Sequence, residues 1–555
     1  MTAFTAKDIP CLYKKYGSLS AICRGENKPF GYVQRRYVSA VKQKLMQPVA
    51  MGRKPNAELL QPKLAQRDRA LKAKTDRHHT YILTCAQNNT DIHEPTWKNL
   101  VALARYCDAK LMVSQFMYGK NSLAASNDKA QLKSKTAVHV PREDVWYDPR
   151  IVPFINNERV EVAKGLVWCG ELNIIPTAVS PLTGLDVYTG RKSMIAPHVT
   201  QQMQSIATYG DGSGAKLNFC TGAVTQRNYI QRKEGFKAEF HHTYGALFVE
   251  VDGDGHWWCR QLNADSDGTI YHIDGDDVVE IKDGEITGGH RVLSVTSGDT
   301  HEDEKDPVVH EAKYRKGGMI DVLKPEYNFI HDLLNFARRS HHNIKDPYFM
   351  IEQFVQKRES VEDEIIGCRR FLQEIKRKDC LTVVVDSNHD RHLDRWLSEN
   401  DGRKDPVNAR YWSLLNKAKI DLIYEGNAST SVLPGAISDW DQDWCGKHRV
   451  KFLGEDEGFI TAKDIGGGIE NGMHGDRAAN GARGNIRSFA KMGRRSNVAH
   501  SHTCGIFQGC FMAGTNSKKK LRYNHGASSW SQSDIITFEN AKRCIVTFAF
   551  GKWHA

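Results

Sequence analysis

Val383-Val384-Val385 runs directly into Asp386-Ser387-Asn388-His389-Asp390-Arg391. Three consecutive β-branched residues suit a strand covered on both faces, and such a strand needs a sheet with layers on either side. A turn requires only one or two polar residues. Six at the tip of a buried strand, with an amide, an imidazole and carboxylates among them, predict a site at that tip. The construction recurs. Arg291–Ser297 leads into Asp299-Thr300-His301, and Ser496–Ala499 leads into His500-Ser501-His502. Ile420–Tyr424, Val450–Asp456 and Cys544–Phe550 are further strand candidates. Helical patterns over Tyr327–His341 and Pro347–Ile375 separate the first two strands. Residues 291–555 therefore read as a layered α/β unit.

The preceding half is organised differently. Residues 1–48 carry three short helical patterns, Ala6–Tyr16, Ser18–Arg24 with Ser18 as N-cap, and Tyr32–Leu45. A short pair, a Gly-containing turn and a basic third helix match a helix-turn-helix-like unit, with Arg35 and Arg36 on its exposed face. Residues 49–79 read as a basic linker with a helical pattern over Leu59–Lys74. Residues 80–290 read as an α/β (α+β) accessory domain of undetermined role. It opens β-α-β through Thr80–Gln87, Glu94–Ala109 and Lys110–Tyr118, and continues in antiparallel strands joined by Asp-Gly turns. Asp252-Gly253-Asp254-Gly255 lacks the later ligands of a calcium loop and reads as a hairpin turn. His241-His242 has nothing nearby in sequence to complete a site.

Charge separates the same parts. The chain of 555 residues has a formal charge of +11. Residues 1–78 hold 17 Lys and Arg against 5 Asp and Glu; the rest holds 60 against 61. The excess is an N-terminal handle suited to nucleic acid or a solvated basic tail. No apolar run of membrane-spanning length and no secretory leader is read, and a cytoplasmic protein is expected. The thirteen cysteines contain no C-x-x-C pair, so neither a disulfide framework nor a cysteine zinc site is expected.

Five groups of potential ligands follow one another in residues 291–555: Asp299 with His301, Asp332, Asn388 with His389, His474 between Gly472 and Gly475, and His500 with His502. Each alone is weak. Together they sit at the C-terminal ends of strands or in the loops beyond them, where open α/β sheets build their sites. The donors are oxygen and imidazole nitrogen only. That set suits Mn²⁺, Zn²⁺ or Fe, and even the seven that remain without His389 suit two ions better than one.

This ordered set resembles the calcineurin-like metallophosphoesterases over residues 291–555. The resemblance implies a four-layer β-sandwich with flanking helices and a dinuclear centre. Carried over by position, Asp299, His301 and His502 would bind one ion, Asn388, His474 and His500 the other, and Asp332 would bridge them. His389 matches the catalytic histidine. The pattern departs at His331, Ser387 and Ala499, where Gly is usual, and at Asn335, where the acid that orients the catalytic histidine is expected. Asp390 is the nearest candidate to hold His389 instead.

The four segments SVTSGDTHEDEKD, VVVDSNHDRHLDRW, NGMHGDRAANGARGN and NVAHSHTCGIFQG, in a chain of this length, also resemble phage enzymes that degrade host DNA. That likeness implies a Mn²⁺- or Mg²⁺-dependent DNase acting in the host cytoplasm, with DNA as partner. Arg477, Arg483 and Arg487, the latter on a helix expected over Gly484–Met492, would face the phosphate backbone. A phosphatase acting on protein or small molecules, and a DNA-binding protein with a vestigial metal site, are the alternatives. Self-association into a homo-oligomer is expected for a multidomain chain of this kind.

Overall fold

In the computed structural model, residues 4–16, 19, 22, 25–28, 30–46, 74–118, 146–209 and 214–555 are described. The linker helix expected over Leu59–Lys74 and the Ser18 cap lie outside the described residues, apart from Lys74. The fold is mixed α/β.

The valine run is the interior strand its composition predicts. Strands β1 (Val292–Thr296), β2 (Tyr327–Ile330), β3 (Leu381–Val384) and β4 (Val450–Phe452) are parallel neighbours. Two antiparallel strands, β6 (Ser533–Phe538) and β7 (Arg543–Thr547), complete a six-stranded sheet in the order β4-β3-β2-β1-β6-β7. Alternate residues serve alternate faces. Ile330 and Val384 pack among helices that include Val361–Glu374 and His392–Glu399, while Phe329, Val383 and Val385 meet Leu453 on the other side.

An eleven-stranded sheet takes strands from both halves of the chain. Met203–Ile206 pairs antiparallel with Gly505–Phe507, which leads through Cys510–Met512 to β5 (Arg495–Val498). A third sheet of four strands holds the β-α-β opening: Thr80–Gln87 and Lys110–Phe116 are parallel, with helix Glu94–Tyr106 between them. Leu83 and Leu247 from that sheet, Ile506 and Phe511 from the eleven-stranded sheet, and Ile535 and Ile545 from β6 and β7 share one core.

Behind the polar strand tips, buried side chains join the two larger sheets. The Asn497 amide of β5 donates to Asn471 Oδ1 at 2.8 Å, and Arg543 of β7 donates to Asn497 Oδ1 at 2.9 Å. Lys313, on helix Pro307–Tyr314, is fully buried and lies 2.5 Å from Asp534 of β6. Asp534 also accepts the Gly298 N–H at 2.9 Å, and Lys313 reaches Ser297 Oγ at 2.7 Å. Gly298 has to be glycine, because a Cβ there would lie 2.7 Å from the Gly514 carbonyl carbon and the Thr515 nitrogen.

Three expectations are corrected. Tyr327–His341 is the short strand β2 and a loop, since Asp332 (φ 43°) and Phe336 (φ 52°) break any helical path. Ile420–Tyr424 is the last turn of helix Ala409–Tyr424 rather than a strand, its apolar residues being spaced on an otherwise helix-favouring run. Pro347–Ile375 is two helices, Pro347–Val355 and Val361–Glu374, parted at Lys357 (φ 55°), with Ser360 Oγ capping the second. Among the described residues no helix is long and apolar enough to cross a membrane.

Removing one partner of a buried ion pair leaves the other charge without compensation, at about 3–5 kcal/mol. Asp534→Asn is expected to lower stability by that amount in chemical denaturation. A loss below about 1 kcal/mol would show that the Gly298 loop does not depend on the pair.

Candidate metal centre

The sequence-predicted ligands come from five loops that the two sheets bring to one edge. Asp299 and His301 follow β1, Asp332 follows β2, Asn388 follows β3, His474 follows Ile469–Glu470, and His500 and His502 follow β5. Backbone hydrogen bonds lace these loops. His301 N–H donates to Asp332 C=O at 2.7 Å, Asn516 N–H to Asp299 C=O at 2.8 Å, and Ala499 N–H to His474 C=O at 2.7 Å. Gly475 (φ 120°) allows the last approach, since a Cβ there would meet the Ala499 carbonyl at 2.9 Å.

Four of these residues hold left-handed backbone conformations: His301 (φ 43°), Asp332 (φ 43°), His500 (φ 71°) and His502 (φ 54°). Each costs about 1–3 kcal/mol in a non-glycine residue. Four such positions around one point indicate that the surrounding packing, rather than local preference, sets their side-chain directions.

The donor atoms converge. His502 Nε2 lies 2.9 Å from Asp299 Oδ2 and 3.1 Å from His301 Nε2, and His301 Nε2 lies 3.6 Å from Asp332 Oδ2. On the other side, His474 Nε2 lies 3.0 Å from Asn388 Oδ1, 3.2 Å from His500 Nδ1 and 3.4 Å from Asp332 Oδ1. Asp332 thus stands between two groups of ligands. Asp299, His301, Asp332 and His502 are buried, and one donor atom from each lies within 4.8 Å of the others. Asp299 Oδ2 and Asp332 Oδ1 are buried without any hydrogen bond. Unpaired buried carboxylate oxygens facing imidazole nitrogens are costly in a protein without a cation, and fit one that binds it. This buried cluster can hold a metal ion.

Electrostatics points the same way. Burial keeps His301 and His474 neutral, far below the usual histidine range, and lowers His502 to about 4. Neutral imidazole is the ligating form. Burial pushes the Asp299 carboxyl up to about 7 and also raises Asp332. Asn388, His389 and His500 are half-buried and form the open side of the site.

His389 is oriented by a group that residue identity does not disclose. Its Nδ1 donates to the Asn335 backbone carbonyl at 2.7 Å, and its ring lies edge-on to His301, 4.6 Å between centroids. Asp390 does not hold it. The Asp390 carboxylate accepts the Leu334 N–H and the Ser387 hydroxyl, each at 2.9 Å, and so ties the loop after β3 to the loop after β2. His331, a departure from the family pattern, has a role in the site. It lies 3.3 Å from His474 through the two Nδ1 atoms, and this leaves His474 Nε2 toward the site. Trp530 packs its edge on His502 at 4.0 Å and is met by exposed Tyr523 at 5.7 Å, forming an aromatic rim. Nothing in the spacing of the ligand segments signals these two residues.

The five arginines expected to meet nucleic acid differ in their surroundings, although Arg477 and Arg483 are bridge partners. Arg35 is exposed on helix Phe30–Lys42, whereas Arg36 turns inward, donating to Phe4 C=O at 2.8 Å and stacking on Tyr32. Arg477 is paired with Glu455, and Arg487 stacks on Phe507 and donates to Ser180 Oγ at 2.9 Å. Arg483 is exposed. The helix expected over Gly484–Met492 is one turn, Ile486–Phe489. Arg391 joins the loop of Asn388 to that of His474 through Asp386 and Asp476.

A carboxyl held near pH 7 in the fold but titrating at about 3.9 in an unfolded chain carries an extra proton in the folded state between those values. Without a cation, the Asp299 contribution to stability is therefore lost as pH rises from about 4 to about 7. A cation that displaces this proton reverses the trend. The rise in melting temperature caused by Mn²⁺ should grow through this window; a rise independent of pH would show that the ion does not displace the Asp299 proton.

No protein-family model matches the chain, and no solved structure matches it. Among curated proteins, one of Escherichia phage T5, "Protein A1", is 34% identical over 483 residues, covering 86% of this chain and 83% of that protein.

Proposed function

The chain belongs to the family of Protein A1 of Escherichia phage T5, and we propose that it is a metal-dependent hydrolase of DNA phosphodiester bonds, built on a metallophosphoesterase-like sandwich and acting on host DNA. The observation that carries this reading is Asp332 standing between two groups of ligands, with His389 beside them on the open side. Asp299, His301 and His502 would hold one divalent ion, and Asn388, His474 and His500 the other. Mn²⁺ is the first expectation for an oxygen and imidazole set, before Mg²⁺, Zn²⁺ or Fe. Bound there, the ions supply positive charge for the phosphoryl oxygens and acidify water.

The chain's own residues do the rest. The Asn335 carbonyl fixes a proton of His389 on Nδ1, so Nε2 faces the leaving oxygen and, when the ring carries its second proton, would donate it to that oxygen as the P–O bond breaks. Asp390 and Ser387 hold the loop that carries it. The exposed ring of Tyr523, set beside Trp530, would give a base something to stack on, which favours a nucleic-acid strand over a compact phosphoester. Arg35, Arg477, Arg483 and Arg487 are exposed and would be the cations nearest at hand for the backbone.

Purified protein is expected to degrade linear double-stranded DNA with Mn²⁺ and not with EDTA, and to leave p-nitrophenyl phosphate largely intact. Turnover of the small ester with DNA untouched would overturn the DNase reading in favour of a phosphatase. His389→Ala should slow cleavage by about 10²–10⁴-fold with ion binding retained. Asn335→Ala keeps the backbone carbonyl and should change cleavage by no more than a few-fold; a loss as large as that of His389→Ala would return the orienting role to the Asn335 side chain.

A further inference from the structure

A thiol, an imidazole and a carboxylate meet in the accessory half of the chain, away from the centre described above. Cys107 follows helix Glu94–Tyr106 as its C-cap, its N–H bonded to the Leu103 carbonyl. His272 and Asp274 are alternate residues of the strand Ile270–Asp274, and therefore share a face. One ligand atom from each of the three lies within 4.8 Å of the others.

The imidazole gives the independent signal. His272 is 2% exposed, and its Nε2 is buried with no hydrogen-bond partner. A buried polar nitrogen left unpaired costs about 1–3 kcal/mol, and a bound cation satisfies it. Burial holds His272 neutral, which is the ligating form. Burial, reinforced by the Asp274 carboxylate, pushes the Cys107 thiol up to about 12, so a binding ion would release its proton to solvent. The carbonyls at a helix C-terminus favour a cation there. The nearby cation, Arg260, is already engaged by Glu250 at 2.5 Å and the Ile273 carbonyl at 2.9 Å.

We propose that Cys107, His272 and Asp274 form a second, structural site for a thiophilic divalent cation of the zinc class, tying the end of helix Glu94–Tyr106 to the strand Ile270–Asp274. Sulfur, nitrogen and oxygen ligands suit Zn²⁺ and disfavour Mg²⁺ and Mn²⁺, so the two centres would differ in metal. The absence of C-x-x-C spacing hid the site, because its ligands come from separate elements.

Cobalt distinguishes the two centres. A thiolate ligand gives Co²⁺ a charge-transfer band in the near ultraviolet, whereas oxygen and imidazole ligands do not. Chelator-stripped full-length protein titrated with Co²⁺ should develop this band stoichiometrically. The band should be lost in Cys107→Ala, require more Co²⁺ in Asp274→Asn, and persist in Asp299→Asn and in Cys445→Ala. Far-ultraviolet circular dichroism identifies a variant that fails to fold, and the conservative Asp274→Asn then decides. No band in the unaltered protein, a band surviving Cys107→Ala, or an unshifted titration in folded Asp274→Asn would overturn the site.

Discussion

Lys313 and Asp534 form an ion pair with no solvent contact, and the placement of the first two ligands rests on it. Both charges lose their hydration, a cost that their mutual attraction offsets only when the remaining donors and acceptors are also bonded. They are. Asp534 accepts the Gly298 N–H and the Asn516 amide, and Lys313 donates to Ser297. Those contacts hold the segment immediately before Asp299, so β1, β6 and helix Pro307–Tyr314 jointly set where Asp299 and His301 begin.

The same logic extends around the centre. A polar layer of Asn471, Asn497, Thr537 and Arg543 joins the two larger sheets behind the strand tips. Rigid sheets then impose left-handed backbone on His301, Asp332, His500 and His502. A cluster of unpaired carboxylate oxygens and close imidazole nitrogens is unfavourable by itself. It persists because folding elsewhere over-determines it, and a bound cation would relieve it. Preorganisation of this kind means that an ion meets its ligands with little rearrangement of the chain.

The ligands were legible in the sequence because their chemistry is carried by residue identity at strand tips: a valine run followed by Asn388 and His389 has few bland explanations. Their supporting contacts were less so. The partner of His389 is a backbone carbonyl, which every residue possesses, so the unexpected Asn335 side chain directed attention to Asp390. His331 looked like a lapse from pattern, yet it is bonded to His474. Tyr327–His341 mimicked a helix because a short strand and a loop with apolar anchors can share helical spacing. Above all, the pairing of Met203–Ile206 with Gly505–Phe507 joins segments from opposite halves of the chain, and periodicity carries no record of such long-range pairing. The arginines show the complementary limit: sequence gives their number, whereas Arg36, Arg477 and Arg487 are occupied by Phe4, Glu455 and Ser180.

In the proposed centre Asp332 would be shared by two cations. Anomalous diffraction from crystals soaked in Mn²⁺ tests it directly. Two peaks are predicted at the sheet edge, one among Asp299, His301 and His502 and one among Asn388, His474 and His500, with Asp332 in contact with both. A single peak without Asp332, or no peak among these residues at saturating Mn²⁺, would contradict the account.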